Sequence, residues 1–323
     1  MTVRQFDWRD LPTLRRFRRE SIFLDSALLL TRGSQQMTGA LFSYLAPSLG
    51  IFTCVSNGDS PINGRMIGQF VHPAGSPFAH LTFLAPFSAL ESCSASPLLE
   101  YMMVLSGERG ALRLLADVDE QSVAFEALRN CGFIVYSRQT IWQLDSQTKV
   151  ETKHTWRSST DQDLIPVRNL YNNLVPGLVQ QFEPVAQPKS VMPRALLPVS
   201  MVNYQNGELL AFVELKYGQH GIWVQPFIHP DTEAVDTYLL DLLSKIPDRR
   251  SRPVYICVRS YQSWLELAIE QLGGKAGPRQ AVMARQLVTP LRLERAYAIP
   301  ALEGGQAEAS APLSSAAAHL ESK

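Results

Sequence analysis

The chain has 323 residues, 46% of them hydrophobic, and balances 30 Lys and Arg against 30 Asp and Glu. That length suits two domains with ample core, and zero net charge leaves no basic face to displace counterions from nucleic acid. Four scattered cysteines (Cys54, Cys93, Cys131 and Cys257) form no C-x-x-C pair, which argues against a clustered zinc site or a disulfide scaffold and for reduced, cytoplasmic thiols.

The N-terminal MTVRQFDWRD carries charges too early for a secretory signal, and no apolar run approaches about 18 residues. A soluble, cytoplasmic protein without a membrane partner is expected. In chain order, Asp10 as N-cap with Pro12 in the first turn predicts a helix over Leu11 to Arg19. Its basic run RRFRR alternates with apolar positions and reads as a solvated face. A second helical stretch lies near Gln36 to Leu45. Strands are predicted at Gly50 to Val55, Arg65 to Val71 and Phe78 to Leu84, separated by Asn57-Gly58-Asp59 and Pro73-Ala74-Gly75. Then come a helix from Pro97 to Ser106, a strand at Leu112 to Val118, a helix within DEQSVAFEALRNCGF, and a strand at Phe133 to Leu144.

The order then repeats. Helical sequence over Asp161 to Leu174 precedes strands at Val199 to Tyr204, Leu209 to Lys216 and Gly221 to Phe227. Asn206-Gly207 between two of them is a hairpin signal. A helix over Thr232 to Lys245, a strand at Val254 to Val258, a helix over Tyr261 to Leu272 and a strand at Val282 to Val288 complete it. Residue matches support a duplication. Arg4, Asp10, Leu11, Leu14, Arg15 and Phe17 match Arg157, Asp163, Leu164, Val167, Arg168 and Leu170 at one offset of 153, and Arg138-Gln139-Thr140-Ile141 matches Arg285-Gln286-Leu287-Val288. The expected division is 1–148, 149–295 and a disordered tail, 296–323, too small and polar to offset the entropy of ordering.

Each half thus reads as helices, a three-strand meander, then helix, strand, helix, strand. This is an α/β class built on mostly antiparallel mixed sheets with helices on both faces. That order resembles the GCN5-related N-acetyltransferase (GNAT) superfamily. Locally, Ala124 and Gly132-Phe133 stand where the family's late helix and its close usually stand, with Gln121 where Asn is common. Ile228-His229-Pro230-Asp231 looks like the end of the family's fourth strand. The resemblance implies two tandem acyl-CoA N-acyltransferase-like domains. It further implies direct attack of a small-molecule or peptide amine on acetyl-CoA, with a fourth-strand backbone amide polarising the thioester carbonyl.

The departures matter as much. The family's pyrophosphate loop is glycine-rich, because glycine lets backbone N–H groups and the helix dipole reach phosphate. Here its places are FSALESCSASP (Phe87 to Pro97) and TEAVD (Thr232 to Asp236), both without glycine, the second with two acids. The first half is therefore expected to be the better cofactor site, at Leu84, Pro86, Ser92, Ser94 and Ser96. Ser106-Gly107-Glu108-Arg109-Gly110 follows its helix and reads as a C-cap. The tyrosine that protonates the leaving thiolate in many members is replaced by Leu128 and Ile269, which leaves Tyr136 as a substitute or a sheet-face aromatic.

For the base, Glu214 in LLAFVELKYG and His80 in AHLTFLAP are the candidates, against plainer readings as strand-surface residues. His72 and His229 read as turn residues, and Trp142 and Trp223 as core. The histidines have neither i, i+4 partners nor nearby cysteines, so no metal is expected. Two further readings stay open: a catalytically degenerate GNAT-fold binding or interaction protein, and a different acyl donor such as aminoacyl-tRNA, against which neutral charge argues.

Overall fold

The computed structural model describes residues 2–17, 19–33, 50–57, 65–91, 95–145, 156–184 and 199–287. The expected helix at Gln36 to Leu45, the division near 148, the tail, and Ser92, Cys93 and Ser94 lie outside them.

Among the described residues, thirteen strands form one mixed sheet: β1 (Thr2–Gln5), β2 (Ile22–Phe23), β3 (Ile51–Asn57), β4 (Met66–Val71), β5 (Phe78–Ala85), β6 (Arg113–Asp119), β7 (Ile134–Leu144), β8 (Trp156–Ser158), β9 (Val199–Gln205), β10 (Glu208–Tyr217), β11 (Ile222–Ile228), β12 (Val254–Arg259) and β13 (Lys275–Gln286). The path is β1-β3-β4-β5-β6-β13-β7-β12-β11-β10-β9-β8, with β2 added beside β5. Read from either end the order is the same, except that the closing strands have changed places. β13, from the second half, lies against β6 of the first, and β7 lies against β12. The two exchanged strands pair with each other at the centre, Gln280 opposite Gln139.

Nine α-helices flank the sheet: α1 (Leu11–Phe17), α2 (Ser26–Arg32), α3 (Ser88–Glu91), α4 (Ser96–Glu108), α5 (Val123–Asn130), α6 (Leu164–Leu174), α7 (Gly177–Phe182), α8 (Val235–Lys245) and α9 (Leu265–Gln271), counted among the described residues. On one face, the core beneath α4 and α5 contains Leu98, Leu99, Met102, Leu114 and Leu128. The equivalent core beneath α8 and α9 contains Leu239, Leu242, Val224, Ile256 and Ile269. Leu128 and Ile269, at the places where the resemblance would put a proton donor, are fully buried packing residues.

On the other face the second helix of each half crosses onto its neighbour. Ala27 and Leu30 of α2 pack on Trp223, Tyr255 and Ile141, and Thr31 C=O accepts from the His220 N–H at 2.9 Å. Reciprocally, Phe182 at the end of α7 stacks on Tyr136 at 4.6 Å, and Arg113 of the first half lies over its ring. The halves therefore share strands and helices.

The repeat has a physical signature. Arg4 grips Asp10 through both guanidinium nitrogens at 2.7 and 2.8 Å, and Arg157 grips Asp163 the same way, both at 2.7 Å. In each, the Asp carboxylate also accepts from the backbone N–H three residues earlier, which caps the following 3₁₀ turn. The Asn206-Gly207 hairpin has φ of 52° and 86°, the two positive values of a type I′ turn.

The last strand begins at Lys275, where Val282 was expected, because its first residues pair with β7, and two further regions depart from the expectation. The chain after α1 forms strand β2 and helix α2, capped by the Asp25 side chain on the Leu28 N–H at 2.8 Å. The helix expected from Tyr261 starts at Leu265, because Ser260–Gln262 form a 3₁₀ turn. Both departures lie at the sites that follow.

Candidate functional site: two closed wedges and a central cleft

A parallel pair of strands that separates part-way leaves backbone groups without ladder partners. β5 and β6 pair only from Phe78 to His80, and β11 and β12 only from Ile222 to Val224. Beyond those points each half opens a wedge between its fourth and fifth strands, where the resemblance places the acyl thioester.

In the first half the wedge is filled by the chain itself. Ile22 and Phe23 pair with Leu84 and Phe83. Leu24 N–H donates to Thr82 C=O at 2.9 Å, while Leu24 C=O accepts from Asp117 N–H at 2.8 Å. Leu24, 1% exposed, thus bridges β5 and β6 like a ladder residue. The strand edge at Leu84, expected to receive cofactor, is already taken. Pro86 follows a cis peptide bond directly after β5. Ser96 opens α4 and lines a hollow of about 120 Å³ with Ala95, Glu126, Asn130 and Cys131, which is small against the several hundred Å³ of ordinary ligand pockets.

In the second half one side chain fills the equivalent place. The Gln262 amide donates to Pro226 C=O at 2.9 Å and accepts from Ile228 N–H at 3.2 Å, and Gln262 has no exposed surface. The Ile228 N–H is the kind of group the resemblance assigns to polarising a thioester carbonyl. The approach to α8 gives no cradle for phosphate: Ala234 takes φ 50°, Thr232 Oγ1 is buried without a partner among the described residues, and Asp236 stands in the first turn.

The three residues expected to carry chemistry lie elsewhere, on the sheet face beneath α2, α6 and α7. His80 lies on β5 and Glu214 on β10, six strand intervals apart, about 29 Å on a flat sheet at about 4.8 Å per strand. Yet both interact electrostatically with the same two groups, Glu183 and Lys216. Both therefore lie within reach of the same charges on that face, as accumulated strand twist allows. His80 and Lys216 are exposed and Glu214 and Asp117 half-buried, so this polar face keeps solvent contact.

Glu183 is its hub. Its Oε1 accepts from Tyr136 Oη at 2.6 Å and from Arg259 Nη2 at 2.5 Å. Tyr136 is thereby committed, and burial first, then the Glu183 charge, pushes its pKa well above the ordinary phenol value. Arg259 is only 7% exposed, and its Nε and Nη1 have no acceptor among the described residues. Burial pushes Asp117 up to about 6, with Asp25 and Glu183 adding and Arg259 opposing. Burial raises Glu214, assisted by Glu183 and opposed by Lys216. For His80, crowding by the cleft walls lowers the pKa although the ring keeps solvent contact. Lys216 acts with that effect, and Asp25 and Glu183 against it. His80, its pKa lowered, and Glu214, its pKa raised, thus stand on one polar face with Lys216. Gln139 and Gln280 join its floor through a 2.8 Å bond, with Ser26 Oγ donating to the same Gln280 oxygen at 2.9 Å.

Sequence reasoning placed His80, Glu214 and Tyr136 separately and missed Asp25, Asp117, Glu183, Lys216, Arg259 and Gln262. Polar residues at alternating positions in apolar strands, as in Glu214-x-Lys216 and Cys257-x-Arg259, were the available signal. His72 Nε2 contacts Ser76 C=O at 2.7 Å and His229 Nδ1 accepts from Asp231 N–H at 3.2 Å, both within turns. Trp142 and Trp223 are buried. Among the described residues no group of three His, Cys, Asp or Glu is arranged to hold a metal ion, and no helix is long and apolar enough to cross a membrane.

No family model and no curated protein sequence matches the chain. Among solved structures, it is similar to a GCN5-related N-acetyltransferase from Sphaerobacter thermophilus at 10% identity and TM-score 0.49, covering 88% of this chain and 95% of that one. It is similar to a tandem GNAT protein from the clavulanic acid biosynthesis pathway at 13% identity and TM-score 0.47, covering 88% and 98%. A GNAT-family acetyltransferase from Colwellia psychrerythraea follows at 12% identity and TM-score 0.44, covering 89% and 100%. The chain's own strand order, a meander, helix, parallel strand, helix and closing strand given twice with a splay between fourth and fifth strands, is the order that the sequence resemblance leads one to expect.

Proposed function

We propose that this chain is a catalytically degenerate tandem GNAT-fold protein that binds its ligand in the central cleft and takes no acyl-CoA into either wedge. One observation carries this reading: the backbone groups that a thioester would need are spent inside the chain, on Leu24 and Ile22 in one half and on Gln262 in the other. A competing ligand must displace hydrogen bonds worth about 0.5–1.5 kcal/mol each, and it finds no glycine-built phosphate cradle to compensate.

The second reading is an N-acyltransferase acting on an unknown amine, and the second half favours it, since a single side chain closes that wedge. If Gln262 turned aside, the Ile228 N–H would face the thioester carbonyl. The amine would attack that carbon, the C–S bond would break, and CoA would leave as the thiol after protonation. Glu214 or His80 would take the amine proton.

Calorimetric titration and thermal melting with acetyl-CoA and CoA separate the two, together with thiol release over a panel of amines. The first reading expects no heat, no shift and no release, because a ligand that binds only the native state must raise its melting temperature. A saturable shift with amine-dependent thiol release overturns it.

A further inference from the structure

The turn from helix α5 into strand β7 leaves a groove on the first-half core. The helix ends at Asn130, and Gly132, at φ 78°, carries the chain round, with Phe133 N–H closing on Leu128 C=O at 3.0 Å. Between the helix end and the start of β7 lies an open hollow of about 570 Å³, within the range of small-molecule pockets. It reaches from Gly132 to Arg138, following the strand for about 13 Å. Its floor is apolar: Phe133 is buried, and Phe125 and Val135 are half-buried against the core under α4 and α5. Ile134, 55% exposed, stands at its edge.

Charge is placed unequally at its two ends. At the far end Arg138 is answered by Glu120 at 2.6 Å, and Glu120 also meets Arg279 at 3.5 Å. At the Gly132 end stand two guanidiniums with little opposing charge. Arg129 lies over the Phe125 ring at 5.7 Å. It reaches Glu126 only at 3.9 Å, with both side chains more than half exposed, a pair worth little in water. Arg285, from β13, has no ion-pair partner among the described residues. It is nevertheless held in place, because its Nη1 donates to Gly132 C=O at 3.0 Å, and a Cβ on Gly132 would run into that nitrogen. Its Nε and Nη2 bond to no other described residue, and a fixed, planar guanidinium matches a carboxylate or phosphate. The negative end of the α5 dipole accounts for one cation. It does not account for two beside an apolar floor.

We infer that this groove binds a small anion with an apolar body, its carboxylate or phosphate on Arg129 and Arg285 and its body along Phe125, Phe133 and Val135. A bare anion would leave the apolar floor in water, and a neutral apolar molecule would leave both cations unanswered. The groove shares no residue with either wedge or with the central cleft, so it can be occupied whichever reading of those holds.

The test titrates the full chain by calorimetry with octanoate, 3-phenylpropionate and octyl phosphate. Octanamide, 3-phenylpropionamide and octanol remove the charge, and acetate and inorganic phosphate remove the body. At least one of the three anions should bind saturably, with its uncharged and its bodiless counterpart each at least about tenfold weaker, about 1.4 kcal/mol. The stronger of octanoate and octyl phosphate names the anion. Arg129→Met together with Arg285→Met should bring the anion down to the level of its uncharged counterpart, and the paired Lys variants should keep the preference. Ile134→Glu sets an acid at the groove's exposed edge. It should weaken the anion at least about tenfold with the melting transition unchanged, which separates loss of the site from a folding defect. Binding by none of the three anions would overturn the inference. So would equal binding of an uncharged or bodiless counterpart, or binding that neither the paired Met variants nor Ile134→Glu weakens.

Discussion

The two wedges are the same place closed by different means. Thr82 and Leu84 in the first half correspond to Pro226 and Ile228 in the second: backbone groups on the fourth strand that face the gap. Main chain meets the first pair, and that main chain runs straight into the Asp25 cap and helix α2, which is itself packed on the other half. One amide side chain meets the second pair. Opening the first wedge means unpacking an element; opening the second means turning one rotamer. Symmetry of fold has not kept symmetry of access, so any residual acyl chemistry belongs to the half with the poorer phosphate approach.

The largest test of this shared architecture removes β13. Truncation after Gly273 strips β6 and β7 of their common neighbour and should abolish cooperative folding of the whole chain, seen as loss of a sigmoidal urea transition. The first half expressed alone should likewise fail to fold, since β6 would be left with an exposed edge and β7 without β12. A first half that melts cooperatively by itself would show that the exchange is not obligatory.

The duplicated ion pairs sharpen the comparison at the next level. Both aspartates are buried, but Asp163 also accepts from Tyr204 Oη at 2.7 Å and from Thr160 Oγ1 at 2.9 Å, partners that Asp10 lacks. Asp163→Asn should cost about 2–3 kcal/mol and Asp10→Asn about 1–2, on the scale of charged hydrogen bonds, read as urea midpoints at constant slope. The Arg157 guanidinium, with those bonds, holds the Asp163 carboxyl well below the usual range. A depressed pKa gives stability that is present above the unfolded value near 3.9 and lost as pH falls further. The difference between the two variants should therefore be full at pH 7 and shrink only in strong acid. Equal costs for the two would mean that Tyr204 and Thr160 contribute nothing.

Much of this was legible in the residues, for reasons that also explain the rest. The Arg-to-Asp spacing survives duplication because a bidentate pair tolerates no substitution of length, so it marked both copies. Turn chemistry at Asn206-Gly207 and apolar runs such as Ile222 to Ile228 fixed the strands. The strand exchange was invisible because β7 and β13 carry similar sequences, Arg-Gln-Thr-Ile and Arg-Gln-Leu-Val, and either would fit either slot. Strand β2 was missed because two residues give no periodicity. Gln262 was missed because a glutamine after a strand looks like any surface polar group until the wedge it fills is seen. His80 and Glu214 could be named but not related, since β5 and β10 stand six strand intervals apart and their shared partner Glu183 comes from elsewhere in the chain order.

Gln262→Ala is the single change that should narrow the difference between the wedges. It leaves Pro226 C=O and Ile228 N–H without the amide and should cost about 1–2 kcal/mol of stability. No single side-chain truncation in Ile22 to Leu24 can do the same, because backbone makes those bonds. If Gln262→Ala gains a saturable acetyl-CoA shift while Leu24→Ala does not, the asymmetry of access is as drawn. If both gain one, the first wedge is looser than its ladder implies.

The smallest expected effect lies where the halves meet, at Asp117. Its carboxyl, facing Asp25 and Glu183, is pushed up to about 6, whereas an unfolded Asp titrates near 3.9. The folded state therefore binds the proton more tightly. The group's contribution is fully present below about pH 4 and is lost as pH rises through about 6, so at pH 7 the ionised form weakens the fold. Part of the side chain keeps solvent contact, which discounts the full shift to about 1 kcal/mol. Asp117→Asn keeps an oxygen for the Ser26 N–H and removes the charge. It should match wild type at pH 4 and exceed it by about that amount at pH 7, with the gap opening between pH 4 and 6. A variant equally stable at both pH values would mean that Arg259 already neutralises Asp117. The cleft would then carry one acid fewer, with Glu214 left as its main unanswered carboxylate.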